Sequence, residues 1–165
     1  SGDGIQCALL CIQQTLNLVN FINKDEPEKI CSGIGMQSHV DIKVPTIELY
    51  GTALEKFLAA GYEVQITELD VTINYDTNGS FSYADEKETN ADQAKYVGQL
   101  MKTILEENRS RDKNVNPKGV TSITLWGLYD TISWRASCSP LLFDTGTTDP
   151  KASFYEFINA AKSMG

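Results

Sequence analysis

Residues 64–71, VQITELDV, set two carboxylates on an otherwise apolar run, and that conflict constrains the chain more than any other feature. Val64, Ile66, Leu69 and Val71 make a near-continuous aliphatic segment of the kind found in strands buried on both faces of a parallel sheet. Side chains alternate between the faces of a strand, so Glu68 and Asp70 point the same way. A carboxylate pair removed from water costs free energy unless hydrogen bonds replace its hydration. Two readings follow: Glu68 opens a solvated loop, or the pair belongs to a site.

The surrounding pattern predicts alternating helices and strands. Residues 6–23 carry Leu9, Leu10, Ile12, Leu16, Val19 and Ile22 near helical spacing, and the segment ends at Lys24-Asp25-Glu26-Pro27. Residues 30–40, ICSGIGMQSHV, read as a strand with a polar tip at Gln37, Ser38 and His39. A helix is expected over 46–60, with Gly61 as its C-cap, and it leads into the strand over 64–71. Residues 74–90 form a long polar surface connection, a further amphipathic helix runs over 91–109, and VTSITLWG at 120–127 is the third strand. Residues 128–149 are irregular yet hold Trp134, Leu141, Leu142 and Phe143, and a last helix covers 150–163. This order predicts an α/β fold whose parallel strands are joined by right-handed helical crossovers.

At 165 residues and 41% hydrophobic composition, the chain is long enough for one packed core. Its 22 acidic against 14 basic residues give a net charge of −8, which argues against a nucleic-acid partner. No apolar run reaches the roughly 20 residues that span a bilayer, so no membrane partner is expected. The start, Ser1-Gly2-Asp3-Gly4, lacks the regions of a signal peptide, and the chain reads as soluble and already trimmed. Cys7, Cys11, Cys31 and Cys138 lack metal-ligand spacing and are expected to be buried thiols, with Cys7 and Cys11 packed one turn apart on an apolar helix face. No metal site and no cofactor are expected.

Sites in parallel α/β folds form at the carboxyl ends of strands, where this sequence puts Gln37 and His39, then Glu68 and Asp70, then Trp126. His39, the only histidine, is within plausible reach of both carboxylates. A carboxylate–imidazole–carboxylate network would fix its tautomer and suit a carboxylate nucleophile; the alternative is a satisfied histidine at a strand tip. Trp126 and Trp134, the only tryptophans, offer indole faces to sugar rings or else pack in the core and loop. Arg135 is a candidate ion-pair anchor for that loop.

GIGMQSH, ITELDV and LWGLYDTISWR followed by SPLLFD together resemble the family 10 glycoside hydrolases, the retaining endo-β-1,4-xylanases built on a (β/α)8 barrel. The three ordered motifs look like strands six, seven and eight of that barrel, from about residue 16 to 157. The resemblance implies Glu68 as catalytic nucleophile and His39 and Asp70 as the groups that orient and tune it. It implies Gln37, Trp126 and Trp134 as substrate contacts, xylan or a xylo-oligosaccharide as the partner, and a secreted protein.

The family's acid/base glutamate follows an Asn in a WDVxNE-like motif after strand four, and that motif does not occur here. Residues 1–165 are therefore expected to be the C-terminal half of a catalytic domain, incomplete alone, weak or inactive as isolated, and covered by a second chain or a copy of itself. CALLCIQQ also departs from the charged segment the family carries there. The competing reading is a non-catalytic remnant that binds xylan or serves in assembly.

Overall fold

The computed structural model describes residues 2–75, 88–145 and 149–163. In chain order the elements are α1 (Gly2–Ile22), β1 (Gly33–Met36), β2 (His39–Asp41), α2 (Ile47–Ala59), β3 (Glu63–Thr72), α3 (Asn90–Ser110), β4 (Val120–Leu125) and α4 (Ala152–Ser163). Two short 3-10 turns, Asp130–Ile132 and Ala136–Cys138, lie between β4 and α4.

All strand pairings involving β3 are parallel, and β3 is central. β1 runs beside its first half, with Gly33 opposite Glu63 and Met36 opposite Ile66, while β2 runs beside its end, with His39 opposite Asp70. β4 pairs with β3 as well, Val120 opposite Val64 and Leu125 opposite Leu69. The expected single strand over 30–40 is thus split in two. The break falls at Ser38, whose φ of 67° is left-handed and cannot continue a strand. Its hydroxyl, 2.7 Å from that of Tyr50 on α2, holds the break in place.

The expected burial of the central strand holds. Val64 and Ile66 are fully buried, with Leu69 and Val71 nearly so, and they meet Leu54, Phe57 and Leu58 of α2 and Val97, Leu100, Met101 and Ile104 of α3 in one core. Each such side chain contributes about 1.5–3 kcal/mol by leaving water. Thr46 caps α2 by accepting from the Leu49 amide at 3.2 Å. Thr89 and Asp92 form a capping box at the start of α3. Gly61 does mark the end of α2, but the C-cap is Ala60, and Gly61 follows it at φ 78°.

Helix α1 lies against the core through Ile12 and Val19, whereas Leu10, Leu18 and Phe21 face outward. The cysteine expectation fails in part. Cys138 is buried and Cys31 half-buried, but Cys11 is exposed because the face of α1 that carries it is not covered; the side chain of Cys7 lies outside the described residues. Residues 76–87 of the expected polar connection lie outside the described residues. Its two ends meet: the Glu88 amide donates to Asn74 Oδ1 at 2.8 Å, and Asn74 Nδ2 donates to the Glu88 carbonyl at 3.1 Å. No helix among the described residues is long and apolar enough to cross a membrane.

Candidate active site

The carboxyl end of β3 becomes polar where its register with β4 shifts, between Ile66 and Leu69. β1 and β2 leave the same gap on the other side. There the Glu68 amide donates to the Gln37 carbonyl at 3.0 Å and the Asp70 amide to the Ser38 carbonyl at 3.3 Å. The strand thus keeps its backbone bonds while Glu68 and Asp70 both reach toward His39.

His39 sits between the two carboxylates. Its Nδ1 is 3.0 Å from Asp70 Oδ2, and its Nε2 is 3.1 Å from Glu68 Oε2. The three groups differ in exposure: the Asp70 side chain is fully buried, His39 is 16% exposed and Glu68 23%. Contacts on both ring nitrogens fix the imidazole plane between Asp70 and one oxygen of Glu68. Glu68 Oε1 carries no hydrogen bond within the described residues.

Both tryptophans reach the same histidine. The Trp134 ring lies 4.9 Å from that of His39 and the Trp126 ring 6.1 Å, each edge-on. Trp126 leaves β4 with its amide still bonded to the Leu69 carbonyl at 3.0 Å. The next residue must be glycine, since Gly127 has φ 144° and a Cβ there would stand 2.8 Å from Leu141 Cδ1. Trp134 donates its indole N–H to Asp70 Oδ2 at 2.7 Å, so one carboxylate oxygen holds both His39 and Trp134. The two indoles remain 46% and 59% exposed, for Trp126 and Trp134 respectively. Large aromatic faces left in water beside a carboxylate make a floor for an apolar ring face.

Arg135 stacks its guanidinium on Trp134 at 4.2 Å and on Tyr75 at 4.5 Å, and lies 3.9 Å from Asp70 Oδ1, within ion-pair reach but beyond a hydrogen bond. That agrees with its expected part as a loop anchor. Among the described residues, no group of three or more His, Cys, Asp and Glu side chains is arranged to hold a metal ion.

The family model described as glycosyl hydrolase family 10 matches residues 11–160. The chain belongs to that family. It is 36% identical over 149 residues to a bifunctional endo-1,4-beta-xylanase of Ruminococcus flavefaciens, covering 90% of this chain and 13% of that protein. It is 35% identical over 134 residues to endo-1,4-beta-xylanase A of Butyrivibrio fibrisolvens, covering 80% of this chain and 27% of that one. Among solved structures, the catalytic core of a xylanase A superposes with a TM-score of 0.72 at 27% identity, over 90% of this chain and 45% of that one. A mutant of P. fluorescens subsp. cellulosa xylanase A in complex with xylopentaose superposes equally well, at 26% identity over 44% of its length. The parallel sheet and its helices are thus part of a family 10 (β/α)8 barrel, and the chain spans less than half the length of these relatives.

Within this family fold, Glu68, His39, Asp70, Trp126 and Trp134 come together as one constellation. Gln37 is beside it but joins only through its backbone carbonyl; its side chain is exposed and without a hydrogen bond among the described residues. Four residues that sequence reading passed over also bear on the site. Tyr75 backs Arg135, while Gln93, Asp130 and Lys151 hold the loop that carries Trp134. Their only sequence signal is indirect, a lysine and a glutamine at positions that a helical reading leaves on the buried side.

Proposed function

We propose that this chain supplies the nucleophile half of a retaining endo-β-1,4-xylanase site, with Glu68 as the attacking carboxylate. The observation that carries this reading is the Asp70–His39–Glu68 chain of contacts, at 3.0 and 3.1 Å, which engages one Glu68 oxygen while the other has no hydrogen bond among the described residues. In the first half-reaction that free oxygen attacks the anomeric carbon as the bond to the leaving sugar oxygen breaks. The resulting glycosyl ester on Glu68 is then cleaved by water. Asp70 and His39 act as positioning residues, and Trp126, Trp134 and Gln37 border the sugar.

Retention requires a second carboxyl group roughly 5–5.5 Å from the first, to protonate the leaving oxygen and later deprotonate water. Asp70 cannot take that part: it is fully buried and committed to His39 and Trp134. We place the acid/base glutamate on a complementary part of the barrel, in the same or another polypeptide, which also covers the open edges of β1, β2 and β4. Residues 1–165, on this reading the portion holding strands six to eight, are weak or inactive by themselves. Xylan lies outside cells, so the working protein is extracellular.

The stereochemical test uses an aryl β-xylobioside and the chain joined to a barrel half that bears the acid/base glutamate, so that the glycosyl ester is hydrolysed faster than the product mutarotates. Proton NMR of the first product should show the β anomer ahead of mutarotation; an initial α anomer would refute retention. A second reading is supported by the exposure of Trp126 and Trp134: a non-catalytic xylan-binding remnant. It requires binding to insoluble xylan that survives Glu68→Ala together with no covalent labelling of Glu68.

A further inference from the structure

The segment between β4 and α4 carries Trp134 with little regular structure, yet its indole N–H meets Asp70 at 2.7 Å. Something else must fix its path. Below it lies a buried ion pair that the proposed chemistry does not use. Lys151 Nζ donates to Asp130 Oδ2 at 2.8 Å and to the Ser139 carbonyl at 2.8 Å. The two side chains are 4% and 6% exposed, for Lys151 and Asp130 in turn. Asp130 Oδ1 accepts from the Leu141 amide at 2.7 Å, and Gln93 Nε2 of α3 donates to both the Ser139 carbonyl at 2.6 Å and the Val71 carbonyl at 2.7 Å.

These bonds bracket Trp134 in sequence. Asp130 precedes it; Ser139 and Leu141 follow it; Lys151 joins the two sides. Gln93 then ties the far side to the end of β3, one residue beyond Asp70. A buried ion pair is poor evidence for stability as such, because desolvation offsets its attraction, and its recognised use is to specify one arrangement. Burial indeed pushes Asp130 above and Lys151 below their ordinary values, so the pair is held against a desolvation penalty.

We propose that Lys151 and Asp130 form a positioning clamp that sets the indole of Trp134 against Asp70, and so shapes one wall of the sugar cleft without touching it. The placement of Trp134 is independent of the function proposed above; only its consequence for sugar binding rests on that reading.

The test uses this chain with Trp126→Phe, which leaves Trp134 as the sole tryptophan. Time-resolved fluorescence anisotropy is compared with and without Lys151→Met, and xylohexaose affinity is measured on the matching pair of chains that retain Trp126. An indole held by Asp70 tumbles with the protein, whereas a released one adds fast local motion on the picosecond-to-nanosecond scale of free side chains. Lys151→Met should add that fast component while the far-UV circular dichroism is retained, and Lys151→Arg should suppress it in part. A folded Lys151→Met with unchanged anisotropy decay would overturn the clamp; general destabilisation lowers the melting temperature without releasing the indole of the folded state. Should Lys151→Met fail to fold, Lys151→Gln, which keeps a donor but no charge, is judged by the same decay. Released Trp134 with no xylohexaose binding even by the chain that retains Trp126 would uphold the clamp and count against the xylan reading.

Discussion

Joined to a barrel half that bears an acid/base glutamate, the chain is expected to hydrolyse xylan about 10² to 10⁴ times faster than it does alone, the usual worth of general acid–base assistance. The site accounts for the direction of the effect. Glu68 presents a free oxygen, but the one carboxylate beside it, Asp70, is buried and already accepts from Trp134 while facing His39 at 3.0 Å. A sugar alkoxide is a poor leaving group, and the Glu68–His39–Asp70 set offers no second carboxyl group uncommitted enough to protonate it. Initial rates on xylan for the chain alone, the joined protein and the joined protein with Glu68→Ala decide the matter. The third should lose the gain shown by the second. Robust turnover by the chain alone would contradict it, and would require an acid not yet identified.

Asp70→Ala should destabilise the folded chain by about 2–6 kcal/mol, from two polar groups that lose their partner at roughly 1–3 kcal/mol each. The groups are His39 Nδ1 and the Trp134 indole N–H, which share Asp70 Oδ2. The Arg135 guanidinium, 3.9 Å from Oδ1, also loses that anion. Urea unfolding monitored by circular dichroism gives the value, with Gln37→Ala as a control expected within about 0.5 kcal/mol of the parent because its side chain is exposed. A loss below about 1 kcal/mol for Asp70→Ala would show that the network contributes little to holding the strand ends together.

Much of this was legible in the sequence because the signals were periodic. The aliphatic run of β3 and the helical spacing of α2, α3 and α4 each followed from residue type, since burial on two faces or one stripe demands those patterns. The convergence of His39 with Glu68 and Asp70 was legible for the same reason, as parallel strands bring their carboxyl ends to one side. Three things were not. The break at Ser38 depends on a left-handed backbone that a serine in an apolar run does not announce. The exposure of Cys11 depends on what packs against α1, and helical spacing alone carries no information on that. The bond from Trp134 to Asp70, and the Lys151–Asp130 clamp beneath it, join residues far apart in an aperiodic stretch, where side-chain reach and not pattern decides the partner.

The most direct measurement is mechanism-based trapping with a dinitrophenyl 2-deoxy-2-fluoro-β-xylobioside, followed by intact-protein mass spectrometry and peptide mapping. The leaving phenolate needs no acid, so a competent nucleophile reacts without the missing glutamate, and the fluorine slows hydrolysis of the ester that forms. One adduct per chain, on the peptide holding Glu68 and abolished by Glu68→Ala, is the predicted result. A chain that stays unlabelled, or carries the adduct on another carboxylate, would contradict Glu68 as the nucleophile of this half-site.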